Sequence, residues 1–407
     1  MRKVAIIGVG NTKFGVLKDK DLLDLLSEAS LQALNNSNTI ENNFDSVFVG
    51  AMCPGEFNNI TGIANALVDR INLIPAAADH VENGPASGGS AIKLGYQAIA
   101  SGMSDLVLVV GGEKMTHIDI PGFVTSKVAN ITHFQAERIH GSTLPSFAGL
   151  LTRLYLEKYN AKIDWISDIA LKNHRNGALN PIAHFQKSIE DIMQSAIQKG
   201  RGNWNNIQEF LEDDNLNPII ADPLRLFHIC PISDGAAALV LCNAETAKKY
   251  TDAPVIISGV GQATDTHILF EREDPTVLKA LRISSEQAYN MAKKRPKDID
   301  VAELHDAFEI LEAVESEDIG FFKKGEGAKA AHEGLTEIGA KLPINPSGGL
   351  KARGHPLGAT GVAQIVELFW QLRGEAGKRQ VDGANTGIAC NFGGFGNSIL
   401  SIIIERM

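Results

Sequence analysis

The stretch Asn345-Pro-Ser-Gly-Gly-Leu-Lys-Ala-Arg-Gly-His-Pro-Leu-Gly-Ala-Thr-Gly361 sets five glycines and two prolines around a single histidine, His355. Glycine-dense turns let backbone N–H groups come close to a ligand. The residues that follow (Val362, Ile365, Val366, Leu368, Phe369) carry helical spacing. His355 is therefore expected on a loop that feeds a helix N-terminus, a position suited to a catalytic base or an oxyanion donor.

Working outward, this turn has a partner in the other half of the chain. Val4-Ala-Ile-Ile-Gly-Val-Gly10 resembles Val255-Ile-Ile-Ser-Gly-Val-Gly261, and each run reads as a buried strand closed by Gly-x-Gly. Helical segments follow, over Leu22–Leu34 and Val277–Ala292, and then short strands at Ser46–Gly50 and Val301–Leu304. Two glycine-rich turns come next, Asn83-Gly-Pro-Ala-Ser-Gly-Gly-Ser90 and Asn345–Gly361, each opening a helix. Closing strands are expected at Asp105–Val110 and Ser398–Ile404. Such an order describes a duplicated α/β chain with parallel sheets and helix-covered faces. The first half is residues 1–116 with 221–250, and the second is 251–407. The segment 117–220 has no counterpart. It holds His117, His133, His140, His174 and His184, is helical over Phe147–Tyr159 and Ile163–Asn173, and is expected to lie over the site and shape the substrate pocket. Neither Gly-x-Gly turn completes a GxGxxG fingerprint, which argues against a dinucleotide cofactor.

Composition narrows the partners. A net charge of -10 argues against nucleic acid or an anionic membrane surface. No apolar run approaches the ~20 residues of a membrane span. The start, Met1-Arg-Lys-Val-Ala-Ile-Ile-Gly8, reads as a strand rather than a signal peptide, so a cytoplasmic location is expected. The four cysteines, Cys53, Cys230, Cys242 and Cys390, form no CxxC or zinc-ligand spacing, so free thiols and no metal are expected.

Three further groups of residues fall at expected strand ends or helix starts. They are His305-Asp306-Ala307-Phe308, Cys390-Asn391-Phe-Gly-Gly394 and Cys230-Pro-Ile-Ser-Asp-Gly-Ala-Ala-Ala238. Together with Gly111-Gly-Glu-Lys-Met115, Asn345–Gly349 and Gly354-His355-Pro356, they make the chain resemble the thiolase superfamily, in its sterol-carrier-protein-x and archaeal branch. The motifs run nearly the whole length in the family's order. The resemblance implies a five-layer α-β-α-β-α thiolase fold, coenzyme A thioester substrates, and a dimer or a heteromer with a thiolase-like subunit. By position it implies His355 as the base, His305 as the oxyanion donor, Asn345 as holder of a water or polar group, and Cys390 as an acid/base thiol. Coenzyme A contacts are expected at Ser258, Gly259, Gly348 and Gly349. The family's nucleophilic cysteine falls on Pro85, which has neither a nucleophile nor an N–H.

That departure separates three readings. The first is an enolate enzyme that forms or cleaves a C–C bond beside a CoA thioester without an acyl-cysteine. It resembles the thiolase-like aldolases that work with a small OB-fold (DUF35-type) partner. The second is an acyl-CoA C-acyltransferase with a displaced cysteine, on an aryl-acyl-CoA among other substrates; Ser87, Ser90 and Cys53 are poor replacements. The third is a non-catalytic subunit of a hetero-oligomer. Two smaller features remain open. Asn173-His174-Arg175-Asn176 through Asn180-Pro181 reads as a capped helix end or a loop of this branch. Lys351, Arg353, Lys323, Lys324 and Lys329 read as a solvated face or as contacts to CoA phosphates.

Overall fold

A computed structural model describes residues 1–41, 43–120 and 122–407. The first half runs β1 (Val4–Asn11), α1 (Leu22–Asn36), β2 (Ser46–Gly50), α2 (Pro54–Asn58), α3 (Ile63–Arg70), β3 (Ala77–Val81), α4 (Ser87–Ser101) and β4 (Leu106–Glu113). Then come α5 (Phe123–Val128), α6 (Leu144–Tyr159), α7 (Ile163–Ala178), α8 (Ile189–Gln198), α9 (Ile207–Leu211) and a small hairpin, β5 (Ile219–Ala221) and β6 (Leu224–Arg225). The chain returns through β7 (Gly235–Asn243). The second half is β8 (Val255–Thr264), α10 (Lys279–Ala292), β9 (Val301–Glu303), α11 (Glu309–Asp318), α12 (Gly327–His332), α13 (Gly349–Ala352), α14 (Thr360–Arg373), β10 (Thr386–Gly393) and β11 (Ser398–Arg406). No helix among the described residues is long and apolar enough to cross a membrane.

The strands form one sheet in the order β3-β2-β4-β7-β1-β8-β11-β10-β9. Its two arms mirror each other about the β1/β8 seam, so β1 answers β8, β7 answers β11, β4 answers β10 and β2 answers β9. The counterpart of β3 shrinks to a single parallel bridge, Ala302 to Ile344. The expected pairing of Asp105–Val110 with Ser398–Ile404 is thereby corrected, since β4 corresponds to β10, a strand the sequence reading missed. The sheet is also mixed rather than parallel. β2 runs parallel to β3 and β4, and β9 to β10, but every ladder from β4 through β7, β1, β8 and β11 to β10 is antiparallel. The cause on the second arm is chain economy, because β10 turns straight back into β11 as a hairpin.

Alternation along the buried strands feeds separate cores. On β7, Ala237, Leu239 and Leu241 point inward to α4 and α14, whereas Ala236, Ala238, Val240 and Cys242 point outward to α1 and α3. On β11, Ile402 and Ile404 join the inner core, while Ile399 and Ile403 join the outer core under α10 and α11. Five layers result: α1/α3, the first arm, α4/α14, the second arm, and α10/α11.

In the middle layer, backbone meets backbone. A Cβ on Gly358 would lie 2.5 Å from the Gly50 carbonyl oxygen and 2.6 Å from that of Gly112. A Cβ on Gly88 or Gly111 would collide with the Gly358 carbonyl. Glycine is required at this crossing because no side chain fits between the two halves. Gly358→Ala is expected to lower the unfolding free energy by about 1–3 kcal/mol through forced backbone shifts. Gly55→Ala, on α2 with open space around its Cβ position, should change it by less than ~1 kcal/mol. Urea unfolding of the two variants makes the comparison; equal effects would show that the crossing relaxes freely.

Candidate active site

A cavity of about 140 Å³ opens where the two halves meet the segment 117–220. Its polar lining is sparse: His305, His355, Thr125 and the Cys230 thiol. Pro85 and apolar side chains, among them Val124, Val128, Leu144, Phe308, Leu357 and Phe395, make up much of the rest. His305 comes from the turn after β9, His355 from the turn between α13 and α14, and Pro85 from the turn into α4. The imidazoles are 3% and 6% exposed, and their centroids lie 5.0 Å apart with the rings at 87°.

Hydrogen-bond partners assign the protons on both rings. The Thr360 hydroxyl lies 3.0 Å from the Pro356 carbonyl and 2.6 Å from His355 Nδ1; donating to the first, it accepts from the second. His355 therefore carries its proton on Nδ1 and offers Nε2 as a lone pair. The Asn391 amide is oriented by backbone on both sides: Gly89 N–H donates to Oδ1 at 3.1 Å, and Nδ2 donates to the Pro85 carbonyl at 3.3 Å. The remaining Nδ2 hydrogen points to His305 Nδ1 at 3.4 Å. His305 Nδ1 is then an acceptor, and Nε2 carries the proton. Phe392 stacks on the His305 ring at 5.1 Å. Burial, with the nearby Arg353 guanidinium, drives His355 down to about 3. Burial, with His355 and Arg353, holds His305 well below its ordinary value. Both rings are neutral at pH 7, one as a base and one as a donor.

Buried acids hold the turns that carry them. Glu113 accepts the N–H groups of Met52 at 2.9 Å and of Cys53 and Gly358 at 3.2 Å, tying the turn after β2 to the His355 loop; burial lifts its carboxyl to about 7. Glu315 accepts the His305 N–H at 2.9 Å. Asn345, fully buried with φ 55°, accepts the Leu304 N–H and donates to Glu312, both at 2.8 Å. Behind this turn Asp306, Glu309 and Glu312 cluster around the Asn173 amide at 2.9, 3.2 and 3.0 Å. Among the described residues, this is the set of acids spaced to share a metal ion. The Lys172 ammonium already sits 2.6 Å from Glu312, and Asp306 accepts the Leu350 and Lys351 N–H groups.

The structure thus brings His305 and His355 together at the cavity, with Asn345 one layer behind as a support. Cys390 is not brought in. Strand alternation along β10 turns its thiol away from Asn391's face and into the core under α10 and α11, with Sγ 3.8 Å from Ser401 Oγ. The four glycine and serine positions expected to meet coenzyme A lie elsewhere too. Ser258 and Gly259 sit on β8, where Gly259 gives room to the Ala288 carbonyl of α10. Gly348 and Gly349 have φ 98° and 60° and pack against Gly177 and Asp306. None of the four lines the cavity. Lys351 and Arg353 are neither solvated nor free for phosphates. Lys351 caps the Leu226 and Ile229 carbonyls at 3.4 and 2.7 Å, and Arg353 pairs with Glu303 at 3.2 Å. Lys324 pairs with Asp318 at 3.0 Å, and Lys329 lies 3.6 Å from Glu333. Asn173 through Asn176 lie inside α7, and Asn176 and Asn180 donate to the carbonyls of Asn345 and Ser347. The sequence reading passed over Asn391, Thr360, Glu113 and the cavity position of Cys230. The Asn391 signal was period-2 alternation, available once β10 is recognised.

The family profile described as "Thiolase, N-terminal domain" matches residues 4–245, and "Thiolase C-terminal domain-like" matches 261–406. An acetyl-CoA acetyltransferase of Methanothermobacter thermautotrophicus is 40% identical over 408 residues, covering 100% of both chains. Sterol carrier protein 2 of Oryctolagus cuniculus is 33% identical, over 98% of this chain and 71% of that one. Among solved structures, a chain of an Ltp2–ChsH2(DUF35) aldolase superposes with TM-score 0.81 at 21% identity, over 99% of this chain and 97% of that one.

Nitrogen-15 NMR tests the proton assignment. His355 is expected as the Nδ1–H tautomer and His305 as the Nε2–H tautomer, both staying neutral as pH is lowered from 8 to about 5. Asn391→Leu should leave the His355 signals in place and scramble those of His305. An imidazolium signal from either ring near pH 6 would show that the pair is solvated.

Proposed function

The chain belongs to the thiolase superfamily, and on that premise we propose that it forms or cleaves a carbon–carbon bond beside a coenzyme A thioester through an enolate, with no acyl-cysteine. The pairing of a neutral base with a neutral donor across one small cavity carries this reading. In the cleavage direction, the His355 Nε2 lone pair takes the hydroxyl proton of a β-hydroxyacyl-CoA. The Cα–Cβ bond breaks, a carbonyl compound leaves, and the electron pair passes into the thioester as an enolate. The His305 Nε2–H holds the enolate oxygen. The His355 imidazolium then returns the proton to Cα, which yields the shorter acyl-CoA. Condensation is the same path reversed.

Pro85 supports the absence of an acyl-enzyme: it lines the cavity beside both histidines and has no nucleophilic atom. By resemblance, Pro85 stands where the family places its cysteine. We read residues 117–220 as the segment that shapes the pocket, since Val124, Val128 and Leu144 come from it. A dimer, or a heteromer with a thiolase-like chain, and a small OB-fold partner of the DUF35 type belong to the same proposal. The aldolase complex named above supports the DUF35 part of it.

The full-length likeness to a protein named acetyl-CoA acetyltransferase favours a second reading, acyl transfer to a displaced cysteine. Cys230 is the thiol in the cavity wall among the described residues. Burial lifts it to about 12, which leaves little thiolate for attack.

Product analysis by mass separates these readings. With a panel of β-hydroxyacyl-CoA and β-ketoacyl-CoA esters, cleavage of the former without consumption of free CoA is expected. CoA-dependent cleavage of the latter, with acyl groups on Cys230, would establish acyl transfer instead. No turnover with any co-purifying partner present would leave a supporting subunit. His355→Ala should lower kcat/KM by about 10²- to 10⁴-fold, and Cys390→Ala should leave it within about 3-fold, in the range expected of a buried thiol outside the cavity wall.

Pro85→Cys offers an independent check on geometry. Incubated with an acyl-CoA, this variant should gain the mass of one acyl group while the parent chain gains none. An unmodified variant would show that residue 85 does not face the thioester carbon.

A further inference from the structure

The cavity is as notable for its missing charge as for its two histidines. Among the described residues, no lysine, arginine, aspartate or glutamate lines it. The buried cations around it are already committed. Lys114 pairs with Asp234 at 2.8 Å, Lys172 with Glu312 at 2.6 Å and Arg353 with Glu303 at 3.2 Å, and all three side chains are at most 4% exposed. The Lys351 ammonium is held by the Leu226 and Ile229 carbonyls. Directly behind the His305 turn lie the buried acids Asp306, Glu309, Glu312 and Glu315, each at most 1% exposed.

An anionic group entering this space would lose its water and find no cation in the cavity wall. Burying an unpaired charge is strongly unfavourable. An apolar group meets the opposite conditions. Phe308 and Phe395 form a wall with ring centroids 6.2 Å apart, and Val124, Val128, Leu144 and Leu311 complete it. The volume of about 140 Å³ suits a branched chain or a single ring rather than a fused polycycle.

We propose that this site takes the CoA thioester of a compact, uncharged, apolar acyl group and turns away acyl groups that end in a carboxylate. The inference rests on the enolate reading above. It names the fragment released on cleavage as an apolar aldehyde or ketone, and the reaction that supplies the substrate as one acting on apolar acyl-CoA esters.

The test is binding rather than turnover. Titration calorimetry compares 5-methylhexanoyl-CoA with glutaryl-CoA, a pair that matches in shape and differs in the terminal isopropyl or carboxylate group. Free CoA is the reference. The apolar ester is expected to bind at least 30-fold tighter than glutaryl-CoA, which should bind no better than CoA itself. Val128→Lys, placed at the half-buried C-terminal end of α5 in the cavity wall, should narrow or invert that ratio. If CoA binds and the two esters bind within 3-fold of each other, the proposal is overturned while the CoA reading stands. If neither ester nor CoA binds, the CoA reading falls and takes this proposal with it.

Discussion

The two halves of this chain are held at backbone contact, and the site exists because of it. At Gly50, Gly88, Gly111 and Gly358 the chains approach so closely that even a methyl group finds no room. The Gly358 carbonyl is wedged between α4 and β4, three residues after His355. Its N–H is taken by Glu113, whose other partners are Met52 and Cys53 on the first half. The His355 loop therefore cannot drift relative to the Pro85 turn. Gly89 and Gly361 extend the contact to Asn391, and Asn391 orients His305. Separating the helices by the radius of one methyl group would loosen all three connections together.

This tight middle layer has an electrostatic consequence. Water is excluded from both the histidines and the acids that brace them, so the neutral form of each is favoured. The two effects oppose each other in pH. His355, His174 and His228 are driven to about 3, so the unfolded chain binds more protons than the folded one below its ordinary histidine pKa of 6.5. Stability from these groups is lost as pH falls from 6.5 toward 3. Glu113, Glu303 and Asp306 are lifted to about 7, so the folded chain binds more protons than the unfolded one between their ordinary values and 7. Their contribution is lost as pH rises through that window. Acids and histidines thus offset one another over the mildly acidic range, and the buried network keeps its charge state without setting a steep pH optimum for folding.

How much of this the sequence announced depended on whether a residue's role is local. His355 was legible because glycines and prolines surround it, and His305 because it ends a short apolar run. The helices α1, α6, α7 and α10 were found within a few residues because each carries its own apolar stripe. β10 was missed because Thr386-Gly-Ile-Ala-Cys-Asn-Phe-Gly393 reads as a glycine-rich loop, and its strand character comes from neighbours on both sides. Without the strand there is no alternation to read, and the sequence does not separate the Asn391 face of β10 from the Cys390 face. β3 was missed for a related reason: Ala77-Ala-Asp-His-Val81 is an edge strand with polar residues and little propensity of its own. Lys351 and Arg353 looked solvated because charge is usually exposed. Their partners Ile229 and Glu303 lie far away in sequence, and only the fold brings them together.

A proline beside two neutral histidines changes what the site must do. With a thiolate and an imidazolium, a cavity holds formal charges before any substrate arrives, and its dipoles must serve the resting state. Here both rings are uncharged, and their protons are fixed by Thr360 and Asn391 rather than by a counter-ion. On the proposed reading, negative charge first appears as the enolate forms, at the oxygen that the His305 Nε2–H addresses. Positive charge first appears on His355 in the same step. A donor and a base that gain their strongest interaction only when charge develops favour the transition state over the bound ester. The apolar wall sharpens that difference, because an uncharged acyl group leaves the new ion pair as the principal charge in a dry space. Filling the cavity with an anionic substrate would remove the contrast on which the arrangement depends.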